Sequence, residues 1–384
     1  MESKIFERLC GEGLFIFLAI LFSFFISRTN NYKKIKRYMF FYVIILSILS
    51  YSFKPFCEID LTNQQSHVLN YYNYTWNEMF ELLFQSTDYT RFFYFYIINR
   101  LGDVNLLQTF VTTIVYSIIF YTIIDYGKLK KYNGLTIART MFLFMMLGQY
   151  IDLISGIRST TAYTLIYLCF YREFVKKKSI FSNLFIYFLA IGFHISVVPL
   201  ILVRVIFLIL KKEKNGYKRL FNITIFLSVV FITLRYGNVI INAVSEKANT
   251  YLSKSVYSTF NGYLISIFNL FVLLYLINIY KKKNKNNGDE NNLDDKNYIR
   301  FIMIYVLIIL LFSFEYSIFH RYIIFLSMIT LPIVMTAFNY LNIENDGNRE
   351  FVISKNNAIY AILLLLMSIF SFSMGDIKLL QFWK

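Results

Sequence analysis

Apolar runs of helical length recur from one end of the chain to the other, and this feature most constrains how it can fold. An α-helix that crosses a bilayer needs about 20 mostly apolar residues. Of the 384 residues, 57% are hydrophobic, and only 3 prolines and 14 glycines are present to form turns. The sequence therefore predicts an all-α, polytopic integral membrane protein in which residues 1–384 form a single transmembrane domain.

The distribution of charge predicts the topology. The formal net charge is +16, but the lysines and arginines lie between the apolar runs, as the positive-inside rule expects. A protein that binds nucleic acid would carry them on one basic face of a soluble domain, so we expect no nucleic-acid partner. Placing the basic clusters in the cytoplasm gives about twelve transmembrane helices. It also predicts outer loops at 54–91 and 235–261 and a flexible cytoplasmic loop at 281–297.

Residues 179–210 are predicted to form a hairpin. As one helix the segment would be about 46 Å long, which is more than the hydrocarbon core requires. One helix would also place one of the two flanking basic clusters, Lys176–Lys178 or Lys211–Arg219, on the outside. A break near His194 keeps both clusters inside and places His194 at the outer tip. The two arms, 180–193 and 196–210, are short for a full crossing, so the hairpin is expected to be short or re-entrant.

Arginines that lie at predicted outer helix ends, against the positive-inside bias, are candidates for binding a substrate. They are Arg158, Arg235 and Arg321. A guanidinium group stays charged in a poorly hydrated site and matches phosphate oxygens with two parallel hydrogen bonds. Several of them over one cavity would suit a lipid pyrophosphate. The alternative for each is a simple ion pair with a nearby carboxylate or lipid headgroup.

Further polar residues are predicted near the same outer ends of the helices. His194 and Ser196 lie at the tip of the predicted hairpin, and a histidine there could act as a general base or could merely pack at a turn. Glu315 and His320 share a short outer turn with Arg321. Asp60, in the first outer loop, could be functional or a solvated carboxylate. The sequence shows neither metal-ligand spacing nor a nucleotide-binding motif, so we expect no metal and no cofactor.

Two of these segments resemble motifs of a known family. Gly156-Ile-Arg158-Ser-Thr-Thr-Ala162 is followed, after a basic turn, by Ala190-Ile-Gly-Phe-His194-Ile-Ser196. This pattern resembles the EpsG/Wzy family of polysaccharide repeat-unit polymerases. Arg321-Tyr322 is similar to the closing arginine of that family, and Asp60-Leu61 to its early outer-loop aspartate. The chain departs from the family where serine follows Arg158 in place of the usual glutamine, and where Lys54 is the base nearest to Asp60 in the sequence.

The resemblance implies a membrane glycosyltransferase of the bacterial cytoplasmic membrane with its active site on the outer, periplasmic side. Such an enzyme transfers a growing chain from undecaprenyl pyrophosphate onto a new lipid-linked oligosaccharide, and so makes O-antigen, capsule or exopolysaccharide. It implies that Arg158, Arg321 and Arg235 bind the pyrophosphate and that His194 and Asp60 are catalytic. Ser196, Glu315 and His320 would support them. Expected partners are the lipid-linked oligosaccharide, membrane lipids, a chain-length regulator and a flippase.

Two other functions remain open from the sequence. A ligase that moves finished glycan to lipid A also uses outward arginines and a histidine, but it usually carries a large outer loop late in the chain. A flippase for lipid-linked oligosaccharides would have about twelve helices and cationic residues deep in its helix bundle. The early position of the longest predicted outer loop favours a polymerase over a ligase.

Overall fold

A computed structural model describes residues 2–53, 60–72, 74–148, 150–210, 260–286, 293–313 and 315–346. These residues form helices and turns, and no strand occurs among them. The all-α prediction is confirmed for this part of the chain. The α-helices are α1 (Glu2–Ser27), α2 (Tyr32–Ser52), α3 (Asp60–Leu69), α4 (Trp76–Gln85), α5 (Tyr89–Leu101), α6 (Leu106–Lys130), α7 (Gly134–Leu147), α8 (Tyr150–Ser155), α9 (Ile157–Phe170), α10 (Leu184–Phe193), α11 (Val198–Leu210), α12 (Phe260–Asn286), α13 (Leu293–Leu311), α14 (Tyr316–Ile329) and α15 (Leu331–Asp346).

Several of these helices are suited to a bilayer. Within the described residues, three are long and apolar enough to cross it, and they lie in α2, α6 and α12. A fourth candidate is the bent pair α14 and α15, whose axes differ by 56°. Pro332 lies in the first turn of α15, where a helix tolerates the missing N–H. Its ring would clash with the preceding turn of a straight helix, so α14 cannot continue straight into α15. The number of twelve spans stays a prediction, because the other apolar helices here are shorter.

The apolar helices pack into a bundle whose interior is rich in aromatic side chains. The main pairs are α2 with α6, α1 with α7, α9 with α10, and α12 with α15. The ring of Tyr42 in α2 stacks on Phe22 of α1, with ring centres 4.5 Å apart. On the opposite face, α2 exposes Phe40 and Phe41. An apolar exterior around a packed apolar interior is what lipid as the solvent requires.

The segment that was predicted as the first outer loop is largely helical. Where it is described, it forms α3, α4 and the start of α5, and we call residues 60–101 the α3–α5 segment. Thr75 and Glu78 form a capping box at the start of α4. The segment lies over the bundle: the Tyr89 hydroxyl donates to the Phe188 carbonyl of α10 at 2.5 Å. The loops predicted at 235–261 and 281–297 are described only in part, because residues 211–259 and 287–292 lie outside the described residues.

The predicted break at His194 is present, and the two arms fold back as a hairpin. α10 ends at Phe193, His194 is extended, and a short 3₁₀ turn, Ile195–Val197, leads into α11. Glu173, in the π-helical turn Tyr171–Val175 after α9, contacts both arms. It accepts hydrogen bonds from Asn183 at the start of α10 and from Arg204 in α11. A straight helix would hold those two residues about 30 Å apart, so only antiparallel arms allow both contacts.

Candidate active site

One cavity brings together three parts of the chain that are far apart in sequence. Its volume is about 250 Å³. Asp60 lines it from the start of α3, and His320 and Arg321 line it from α14. Four residues at the junction of α8 and α9 also line it: Ser155, Gly156, Ser159 and Thr160. The remaining lining residues are Tyr163, Tyr316 and Ile324. The cavity therefore has a carboxylate on one wall and an arginine–histidine pair among its other lining groups.

Asp60 is held at the cavity by Arg158. The Nη2 atom of Arg158 lies 3.7 Å from Oδ1 of Asp60, and both side chains are partly exposed. Gln64, one turn further along α3, donates from Nε2 to the same carboxylate oxygen at 2.9 Å. Arg158 is in the first turn of α9, so the ion pair joins the α3–α5 segment to the bundle. One hydrogen bond from Gln64 and one ion pair with Arg158 thus orient the Asp60 carboxylate.

Two further basic groups surround this ion pair. Arg91 of α5 forms an ion pair with Asp88 at 3.1 Å, and its guanidinium lies over the ring of Phe92 at 4.3 Å. Its pKa is lowered, first by burial and also by the positive charge of Arg158. His67 of α3 has a lowered pKa because of partial desolvation and the charges of Arg91 and Arg158, while Asp60 acts in the opposite direction. His67 and the two arginines are thus close enough to Asp60 to interact with its charge.

α14 presents His320 and Arg321 to the cavity from its second turn. Glu315 is the N-cap of this helix and accepts a hydrogen bond from the backbone N–H of Ile318 at 3.0 Å. The Nδ1 atom of His320 lies 2.9 Å from the hydroxyl of Ser266, which is buried in α12. The His320 ring also stacks on Tyr316, with ring centres 5.5 Å apart. Glu315 therefore fixes the start of the helix, while Ser266 and Tyr316 fix the imidazole.

The tip of the hairpin reaches the cavity through a tyrosine. Nδ1 of His194 accepts a hydrogen bond from the backbone N–H of Ser196 at 3.1 Å. The Ser196 hydroxyl lies 3.1 Å from the hydroxyl of Tyr163, and Tyr163 lines the cavity. His194 itself is buried, with 8% of its surface exposed. The structure therefore places His194 and Ser196 one layer behind the cavity wall.

The predicted site residues fall into four groups. Asp60, His320 and Arg321 line the cavity, and Arg158 contacts it through Asp60. His194 and Ser196 stand behind Tyr163, and Glu315 caps α14. Arg235 lies outside the described residues. Within the described part of the chain, no group of three or more His, Cys, Asp or Glu residues is placed to hold a metal ion.

The walls of this cavity all lie within one family match. A family model described as the EpsG family matches residues 57–382, which is most of the chain. The chain belongs to the EpsG family. No curated protein and no solved structure matches it significantly. With the apolar helices of the bundle, membership of the EpsG family identifies the chain as a membrane protein associated with polysaccharide biosynthesis.

Three residues at or near this candidate site are not singled out by the sequence. Arg91 is the last residue of the predicted outer loop 54–91, and the structure places it close enough to Asp60 and Arg158 to interact with their charges. Tyr163 and Ser266 carry neither charge nor a distinctive spacing, and they gain their roles through contacts between helices that are distant in sequence. For Arg91 a signal did exist, since it is a charged residue within an aromatic stretch next to the predicted outer loop.

Proposed function

We propose that this EpsG-family protein is a glycosyltransferase that polymerises lipid-linked oligosaccharide repeat units into a surface polysaccharide. The observation that carries the proposal is the single cavity lined by Asp60, His320 and Arg321, with Arg158 bound to Asp60. It offers a carboxylate, a guanidinium group and an imidazole to one bound molecule. A transfer from a lipid pyrophosphate to a sugar hydroxyl needs the first two, because one group must accept a proton and another must stabilise the departing anion.

In the proposed reaction, the acceptor hydroxyl of the new repeat unit lies against Asp60. Its oxygen attacks the anomeric carbon of the donor chain, and its proton passes to the Asp60 carboxylate. The bond between that carbon and the undecaprenyl pyrophosphate oxygen breaks, and the electron pair leaves with the pyrophosphate. Arg321 stabilises the charge that develops there, and His320 lies beside it in the same cavity. No metal is required by this scheme, since the cationic side chains face the leaving group.

Arg158 and His194 act indirectly in this proposal. Arg158 fixes the Asp60 carboxylate through the 3.7 Å ion pair and adds positive charge beside the cavity. His194 orients Ser196, and Ser196 in turn positions the hydroxyl of Tyr163 at the cavity wall. The donor and acceptor are expected to approach from the outer face of the cytoplasmic membrane, where the basic residues between the spans place this end of the bundle.

The proposal is tested by the length of the surface glycan in a strain that lacks the gene. Gel electrophoresis should show a ladder in the complemented strain and single repeat units in the deletion strain. Complementation with Arg321→Ala or Asp60→Asn should give single units as well, because each variant lacks one of the two functions described above. Arg300→Ala, which alters an exposed arginine of α13, is the matched control and should restore the ladder.

The same gel separates polymerisation from the other functions. Loss of all surface glycan, with accumulation of lipid-linked units, would indicate a flippase or a ligase and would contradict the proposal. A full ladder in the Arg321→Ala strain would remove Arg321 from the site. Protein levels in the membrane fraction must be equal, so that a variant that fails to insert is not counted as an inactive enzyme.

A further inference from the structure

The most buried ion pair that is seen in the described residues lies away from the cavity, at the base of the hairpin. Nε of Arg204 donates to Oε2 of Glu173 at 2.8 Å, and the two side chains are 8% and 1% exposed. Ionisable groups that are buried within membrane-spanning segments are costly, and they are found where function requires them. The proposed reaction uses neither residue directly.

Each oxygen of the Glu173 carboxylate is committed to one arm of the hairpin. Oε1 accepts from Asn183 Nδ2 at 3.0 Å and from the Tyr187 hydroxyl at 2.7 Å, and both donors belong to the α10 arm. Oε2 accepts from Arg204, which belongs to the α11 arm. The Arg204 guanidinium also lies over the ring of Phe174, 4.2 Å from its centre. The pair is therefore well satisfied, and its bonds fix both arms to the turn after α9.

We propose that Glu173 and Arg204 are positioning residues that set the depth at which the hairpin tip meets the cavity. The inference rests on the proposed function, because it assumes that the tip matters for the reaction. Asn183 and Arg204 each lie about ten residues from His194, which is about 15 Å along a helix. With the arms fixed at that distance, the tip brings Ser196 to 3.1 Å from Tyr163.

Directional hydrogen bonds suit this task better than apolar packing. Two apolar helices can slide by a fraction of a turn at little cost in a bilayer, because lipid is as apolar as the helix surface. A slide of either arm would break its bond to one particular oxygen of Glu173. A hairpin whose arms are short for a full crossing needs such a restraint, since the apolar length of the arms does not by itself fix their depth in the bilayer.

The test compares two ion pairs that flank the same turn. Glu173→Met/Arg204→Met removes both charges and keeps side chains of similar length, and such exchanges are usually tolerated by the fold. The control is Asp125→Asn/Lys176→Met, which removes the pair between Lys176 and Asp125 at 2.6 Å. That pair joins the turn to α6 and contacts neither arm. Tyr187→Phe, which removes a single hydrogen bond to Glu173, is a milder second variant.

The reporter of tip position does not depend on polymerisation. In the full chain with Cys10, Cys57 and Cys169 replaced by alanine, Tyr163→Cys and Ser196→Cys are cross-linked in native membranes with a short bifunctional methanethiosulfonate. We expect the Glu173→Met/Arg204→Met chain to lose most of the cross-linked product, Tyr187→Phe to lose part of it, and the Asp125→Asn/Lys176→Met control to keep it. A strain that carries Glu173→Met/Arg204→Met without the cysteine substitutions should also show a shorter glycan ladder.

The outcomes separate this inference from the proposed function. An unchanged cross-link yield in the Glu173→Met/Arg204→Met chain would overturn the positioning role, whatever the ladder shows. An equal loss in the control chain would also overturn it, because the effect would then follow from the turn and not from the hairpin arms. A lost cross-link with an unaffected ladder would support the positioning role and would contradict the part of the proposed function that involves the tip.

Discussion

At the scale of single residues, the ion pair between Arg158 and Asp60 predicts how removal of the Arg158 side chain should affect stability and activity. A partly exposed ion pair contributes about 1 kcal/mol or less to stability. Arg158→Ala should therefore lower the free energy of unfolding only slightly, while polymerisation is lost because Asp60 is no longer held. Thermal unfolding of the purified protein and the glycan ladder measure the two effects. Arg158→Lys keeps the positive charge but loses the planar guanidinium group, so partial polymerisation activity is expected. A full ladder from Arg158→Ala would show that Arg158 is not needed to position Asp60.

His67 provides a pH-dependent prediction. Its pKa is lowered in the folded chain, so the unfolded chain binds the proton at a higher pH than the folded chain does. The contribution of His67 to stability is therefore present above the ordinary histidine range and is lost as the pH falls toward the lowered pKa. Asp60→Asn removes the one neighbour that raises this pKa, so the value should fall further.

The rate of modification of His67 by diethyl pyrocarbonate, followed by mass spectrometry over a range of pH, measures that value. The reagent reacts with the neutral ring, and peptide mapping separates His67 from His194 and His320. Arg91→Gln is a second comparison with the opposite sign, because Arg91 lowers the pKa of His67. An Asp60→Asn profile that matches the wild type would show that the carboxylate and the imidazole do not interact.

What the sequence can predict at this scale depends on the kind of residue. Asp60, Arg158, His320 and Arg321 could be found because a charge at a membrane helix end is conspicuous and because the motifs resemble those of a family. Tyr163 and Ser266 could not be found in this way. Nothing in the sequence shows which residue a tyrosine or serine of an apolar helix will contact once the helices pack. The partner of Arg158 was also unknown from the sequence, because Asp60 reaches it from a separate helix.

At the scale of elements, α4 carries an exposed aromatic face. Trp76, Phe80 and Phe84 are spaced four residues apart, so they lie on one side of the helix, and Phe84 is 90% exposed. Aromatic rings of this kind favour the membrane–water interface, and an amphipathic helix there lies in the plane of the bilayer. We therefore expect α4 to insert this face into the outer leaflet.

Tryptophan fluorescence tests this orientation. The chain has two tryptophans, Trp76 and Trp383, so Trp383→Phe leaves a single reporter. In vesicles with lipids brominated at different depths, Trp76 should be quenched most strongly by the shallow labels. The Trp76→Phe protein identifies the signal that comes from Trp383. Emission typical of water, with no quenching at any depth, would show that α4 faces solvent.

The contact between α12 and α14 gives a second prediction for an element. A Cβ atom at Gly262 of α12 would overlap the hydroxyl end of Tyr316, which stacks on His320. Because that end of the side chain can move, Gly262→Ala should cost little stability but displace Tyr316 and lower polymerisation. Gly13→Ala, where a Cβ meets nothing within 4 Å, is the control. Equal ladders from the two variants would show that the position of Tyr316 is not needed.

The presence of the apolar helices was easier to predict than the residues at which they begin and end. The break at His194 followed from the positions of the basic clusters, and the contacts of Glu173 confirm the hairpin. By hydropathy alone, the apolar stretch Ile137–Ile154 would be read as one crossing helix, but α7 ends at Leu147 and α8 begins at Tyr150. Hydropathy reports which residues prefer lipid and does not report where a backbone bends. Hydropathy also misses α3, which is polar, and α4, which is amphipathic and short, because neither contains a continuous apolar run.

At the scale of the whole molecule, the described helices form a bundle in which the cavity lies beside the hairpin tip and Glu173 lies at the hairpin base. The α3–α5 segment supplies Asp60, the bundle supplies Arg158, and α14 supplies His320 and Arg321. A function that depends on all of these parts at once should be lost when any one of them is changed, without loss of the fold. This is what distinguishes a catalytic cavity from a set of separate ion pairs.

The most direct measurement is polymerisation by the purified protein in vesicles supplied only with lipid-linked repeat units. We expect the wild-type protein to give a ladder of products and to release free lipid pyrophosphate with each added unit. Equally folded Arg321→Ala or Asp60→Asn protein should give neither. If the wild-type protein leaves the repeat units single, or if the Arg321→Ala protein extends them at the wild-type rate, the cavity is not the site of polymerisation.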